Sequence, residues 1–204
     1  MNLSQIRILR YPDIYSLTQL MRISEFWCNP ELKFTYFTAD KCRKWFKRKF
    51  HINYERYFEG LNIPGEMFRQ FSQVFADDMT SHEKIVCDMF KDIEDDFYVI
   101  AFVKSDERCL GHELCHALYQ CDLYWAHDAT NLVWQFDYTA YKTITKGLKE
   151  KMAYDDNVLM DEAIAYLTDG GADLVSELKM DIKPLKPLIK ELRKLFVKRL
   201  ELIK

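Results

Sequence analysis

Gly111-His112-Glu113-Leu114-Cys115-His116-Ala117-Leu118 is the stretch on which the fold and function of this chain turn. It holds the pattern H-E-x-x-H, with imidazoles at His112 and His116 and a carboxylate at Glu113. On an α-helix, residues four apart lie about 40° apart around the axis, one turn up. Both imidazoles therefore project from one face and can reach a single ion. Glu113 is offset from His116 by about 60°. That places it beside the ion without binding it, where a base for a metal-activated water belongs. With only 5 His in 204 residues, chance seldom produces this arrangement. The plainer alternative is a helix with two histidines and no metal. Leu114, Ala117, Leu118 and Leu123 supply an apolar face for packing.

Zinc takes imidazole nitrogen at about 2.0–2.1 Å and prefers four ligands, one of them water in a catalytic site. One further protein ligand is needed, and three residues compete. Asp122 lies six residues after His116, the spacing of the third ligand in metzincin-type proteins. That pattern needs a glycine where Tyr119 stands, so Asp122 is expected to orient a ligand or end the helix. His127 lies further on, in an unpatterned segment. Glu162, within Met160-Asp161-Glu162-Ala163-Ile164-Ala165-Tyr166, is favoured, because Ala163 and Ala165 let a second helix approach the first closely. The plain reading of an isolated Glu is a solvated surface residue.

His112–His116 followed by Asp161-Glu162-Ala163-Ile164-Ala165-Tyr166 resembles the zincin metallopeptidases of the gluzincin type. The resemblance covers residues 97 to 169, and the small size is similar to that of compact bacterial and viral zincin-like proteins. It implies an α+β fold with an edge strand beside the H-E-x-x-H helix and a second helix carrying the Glu ligand. It implies one Zn²⁺ held by His112, His116 and Glu162, and hydrolysis of a peptide or protein substrate with Glu113 as general base. Tyr166, one turn after Glu162, is favoured as a group near the site, to donate to the oxyanion or to orient a ligand, with Tyr154 and His127 as alternative donors; an ordinary core or surface aromatic is the plainer reading. Asp122 or Asp169 would fix the tautomer of a ligand histidine. Asp169 precedes Gly170-Gly171 and could equally end its helix.

Outward from the motif, the pattern predicts a mainly helical α+β chain, one domain over 1–204. Phe97–Val103 is apolar and β-branched, the strongest strand signal, placed either at a substrate-holding edge or in the core. Phe34–Thr38 reads as a second strand. Helices are expected over 13–28, over 41–50 with Asp40 as cap, after an Asn62–Gly65 turn to about 75, and from the Thr80–Glu83 capping box to about 93. The acidic run Glu94-Asp95-Asp96 should end the last of these. Further helices are expected near 112–123, 130–148, 157–168 and 184–203.

Hydrophobic residues at 49 %, charged at 30 % and aromatic at 15 % indicate a globular chain with a ring-rich core. A net charge of −3 argues against general nucleic-acid binding. Lys41–Phe50, basic with interleaved aromatics, could touch nucleic acid or an anionic surface; an ordinary amphipathic helix is the simpler reading. The C-terminal helix reads as a packing helix or a contact between copies. No apolar run reaches membrane-spanning length and no signal peptide is visible, so a cytoplasmic location with reduced, mostly buried cysteines is expected. The rival function is a zincin-like metal-binding protein without peptidase activity, acting through a partner or nucleic acid.

Overall fold

The computed structural model describes residues 5–29, 31–51, 60–93, 96–105, 107–136, 138–152, 154 and 156–202, with backbone alone at 50, 107, 108, 151 and 152. The expected acidic terminator at 94–95, the side chain of Phe50 and the end of the last helix at 203 fall outside this set. The chain forms two compact units, Gln5–Leu110 and the residues from Gly111 onward, each with its own apolar core.

The first unit holds a three-stranded sheet of β1 (Ile6–Tyr11), β2 (Gly60–Pro64) and β3 (Tyr98–Val103), in the order β1-β3-β2. β3 runs parallel to β1, with Ile6 opposite Tyr98, and antiparallel to β2, with Gly60 opposite Phe102. The expected edge strand is therefore the central one. Its near-continuous apolar run is the cause: Tyr98 to Phe102 are all buried, as suits a strand covered on both faces. With β1 and β2 on its two sides, β3 has no open edge on which to hold an extended peptide. Pro64 stands at the last position of edge strand β2, where a missing N–H is tolerated.

The expected strand at 34–38 does not form. Asn29 Oδ1 accepts from the backbone N–H groups of Glu31 and Leu32, at 2.9 and 3.1 Å, and Phe34 takes a φ of 58°. Turn chemistry wins there over β-propensity. Among the described residues, five helices accompany the sheet: α1 (Ile14–Leu17), α2 (Met21–Cys28), α3 (Ala39–Phe50), α4 (Gly65–Val74) and α5 (Ser81–Phe90). A 3₁₀ turn, Thr18–Leu20, splits the expected 13–28 helix. Thr38, not Asp40, caps α3, its side chain accepting from Lys41 N at 3.1 Å. Trp45 and Phe46 are buried while the neighbouring Lys and Arg side chains are exposed, the ordinary amphipathic arrangement.

The aromatic content is concentrated here. Phe71 stacks on Phe75 at 4.2 Å, and Phe26 meets both edge-on at 5.8 Å. Buried Arg22 grips both oxygens of Glu83 at 2.8 Å and Asp78 Oδ2 at 2.8 Å. Glu83 also completes the capping box of α5, accepting from Thr80 N at 2.7 Å. A buried guanidinium is tolerable because each charge has a bidentate or hydrogen-bonded partner.

The second unit is helical: α6 (Glu107–Cys121) from Gly111 on, α7 (Leu123–Phe136), α8 (Tyr138–Met152), α9 (Leu159–Asp169), α10 (Ala172–Ser176) and α11 (Lys186–Glu201). α6 starts at Glu107, more than one turn before the expected residue 112, and the anticipated 130–148 helix belongs to two helices. α9 lies at the centre of the core. Asp161 and every residue from Ala163 to Thr168 are buried, and the 0 % exposure of Ala163 and Ala165 reflects close packing by neighbours. Trp125, Leu118, Leu148, Ile164 and Leu192 fill the remainder. None of the six cysteines forms a disulfide, and four are buried. Among the described residues, no helix is long and apolar enough to cross a membrane.

Candidate metal centre

α6 and α9 bring three of the expected ligands together. His112 Nε2 and His116 Nε2 are 3.1 Å apart. Glu162 Oε2 stands 3.9 Å from the first and 3.7 Å from the second. A point equidistant from three atoms so spaced lies about 2.1 Å from each, the length of a bond from zinc to imidazole nitrogen or carboxylate oxygen. The chemistry of the donors agrees with the spacing. Glu162 Oε2 is buried with no hydrogen-bond partner, an arrangement that costs stability unless a cation or proton occupies the space it faces. His112, His116 and Glu162 could hold a metal ion.

Their surroundings fix their orientation. Asp161 Oδ1 accepts from His116 Nδ1 at 2.9 Å, which leaves Nε2 to face the cluster. Gln120 Nε2 donates to the other Asp161 oxygen at 3.4 Å. The Tyr154 hydroxyl bonds to Glu162 and lies 3.2 Å from the hydroxyl of Tyr166. The Tyr166 ring packs edge-on against His112 at 4.8 Å. Glu113 is 6 % exposed, and its charge is felt at both His116 and Glu162.

Burial sets the electrostatics. It pushes His112 well below the usual imidazole range, with the charge of His116 acting the same way. It opposes the imidazolium of His116 too, but Asp161 and Glu162 outweigh it and raise that group. It raises Glu162 above the usual carboxylate range. Two Nε2 atoms at 3.1 Å accommodate one shared proton. A metal ion competes for the same lone pairs, so metal uptake releases protons.

The other candidates serve elsewhere. Asp122 caps α7, Oδ1 accepting from Tyr124 N at 3.0 Å and Trp125 N at 3.2 Å, and is paired with Arg199 of α11. Its helix-end role is the expected one. His127 is on the surface of α7, its side chain 72 % exposed, beside Asp128 and Asn131. Asp169 ends α9 before Gly170, whose φ is 110°. Asp161, not Asp122 or Asp169, is the carboxylate on His116, one of the two candidate ligand histidines. The sequence signal that could have found it is its place directly before Glu162, where a helix turned toward two histidines can offer both carboxylates.

Compared with known proteins, the chain matches no family model, no curated protein and no solved structure.

Proposed function

We propose that this chain is a zinc-dependent metallopeptidase of the zincin type, with His112, His116 and Glu162 as ligands and Glu113 as general base. The convergence of two Nε2 atoms on the unpartnered Glu162 Oε2 carries this reading. Two imidazoles and one carboxylate form a donor set that zinc favours in catalytic sites. Zinc bound there would supply Lewis-acid polarisation of the substrate carbonyl and lower the pKa of a water toward about 7. Glu113 takes the proton of the attacking water on its carboxylate and passes it to the leaving amine. Asp161 holds the His116 ring through Nδ1, and Tyr154 holds the Glu162 carboxylate. We assign Tyr166, beside His112, the hydroxyl that donates to the oxyanion.

A base is needed for turnover and not for holding metal. Glu113→Gln is therefore expected to keep its metal and to cleave a peptide library at least about a hundredfold more slowly. His116→Ala is expected to lose both. Unchanged cleavage by Glu113→Gln removes the general-base role. A second reading, a metal centre without turnover that acts through a partner, draws on the burial of His116 and Glu162, whose side chains are 4 % and 12 % exposed. Full metal occupancy with no cleavage of any library peptide by the unaltered chain would favour it.

A further inference from the structure

α11 carries a second feature, independent of the metal. One side of it forms a groove of about 720 Å³ flanked by Lys186, Lys190, Lys194 and Lys198, with the single acid Glu201 at its C-terminal end. These recur at every fourth position, so they rise about 6 Å per step along the helix. All four are exposed. Lys194 is engaged by Glu191 at 2.7 Å; the other three have no ion-pair partner among the described residues. The floor is aliphatic, from Ile182, Ile189 and Val197. Arg193, also in the groove, is committed to the carbonyls of Thr168 and Asp169 at 2.9 and 2.7 Å.

This charge pattern is unfavourable by itself. Like charges four apart on a helix repel. Lys186 stands at the positive end of the α11 dipole, and no acidic residue occupies the first turn. An anionic occupant relieves both effects. Its class follows from the lining: no aromatic side chain faces the groove, so bases have nothing to stack on. Alternate side chains of an extended peptide recur about every 6.6–6.8 Å, and every fourth residue of a helix about every 6 Å. Carboxylates on either match the lysine ladder, while the intervening aliphatic side chains meet the floor.

We propose that this groove docks an acidic amphipathic peptide segment of a partner protein. The test uses the full chain and three fluorescein-labelled probes: a peptide alternating Glu and Val, its counterpart with Gln for Glu, and single-stranded oligothymidylate. The Glu/Val peptide is expected to bind, read by anisotropy, and to weaken with added salt. Binding should fall at least about tenfold in the doubly substituted Lys190→Glu/Lys198→Glu chain. These changes create Glu–Lys pairs four apart, so α11 is retained. Lys190→Gln/Lys198→Gln is expected to weaken binding in the same direction. Chelation of metal should leave binding unaltered, which separates this result from failure of the peptidase reading. No binding of the Glu/Val peptide, equal binding of the Gln/Val peptide, tighter binding of oligothymidylate, or undiminished binding after charge reversal each overturns the proposal.

Discussion

Asp161 determines which nitrogen of His116 faces the ligand cluster, because its carboxylate accepts from Nδ1 at 2.9 Å. In Asp161→Asn the amide keeps the size and loses the charge that makes the imidazole a better donor. Metal affinity, measured by competition with a chromophoric chelator, is expected to fall about 10- to 100-fold. An unchanged affinity would show that Asp161 only packs. A different carboxylate governs stability against pH. Glu25 is 4 % exposed, and burial pushes it up to about 7 from an ordinary 4.5, against the lowering effect of its Asn29 hydrogen bond. The folded chain therefore holds this proton more tightly than the unfolded one. Its contribution favours folding below about pH 4.5 and is lost as pH rises toward 7. The loss is roughly 3 kcal/mol. Urea titrations from pH 4.5 to 8 should show a shallower decline for Glu25→Gln than for the unaltered chain; parallel declines would contradict this. At this scale the grouping of His112, His116 and Glu162 was legible, because helical spacing puts the histidines on one face and Ala163 and Ala165 let the helix that carries Glu162 come close. The role of Asp161 on His116 and the bond of Tyr154 to Glu162 were not, although Tyr154 was a candidate oxyanion donor. Their positions depend on how α9 and the preceding residues turn toward α6, and no local periodicity encodes that.

Helix ends are where element boundaries are decided. The Thr80–Glu83 capping box reads directly from four residues and forms as read. α3 shows the harder case: Thr38 and Asp40 are both good caps, and only the extended φ and ψ of Thr38 distinguish them. β1 and β2 escaped notice for a physical reason. A short edge strand is stabilised by its neighbour, and neither Ile6–Tyr11 nor Gly60–Pro64 has a strong pattern apart from pairing with β3. α9 ends on Gly170 at φ 110°, where an added Cβ would also run into the Arg193 guanidinium that closes the helix. Gly170→Ala is expected to destabilise by about 1–3 kcal/mol. Gly111→Ala, inside α6 with open space around it, is expected to stabilise by up to about 1 kcal/mol. Thermal melts of the two variants should move in opposite directions, and a shared direction would contradict the caps as described.

The mainly helical α+β character was legible from composition and periodicity, but the presence of two cores was not. Phe26, Phe71 and Phe75 belong to one core, and Trp125, Ile164 and Leu192 to the other. Nothing in a linear run of apolar residues says which cluster each will join. The candidate ligands His112, His116 and Glu162 all lie in the second unit, on α6 and α9, so a metal held there should stabilise that unit. An ion present at a thousand times its dissociation constant contributes about 4 kcal/mol. The central claim is that His112, His116 and Glu162 close on one ion. Zinc bound per chain after equilibrium dialysis, compared between the unaltered protein and Glu162→Ala, tests it most directly. The account predicts one zinc per folded chain and loss of that zinc in Glu162→Ala with folding retained. A chain that binds no zinc, or a Glu162→Ala variant that binds it equally well, would contradict it.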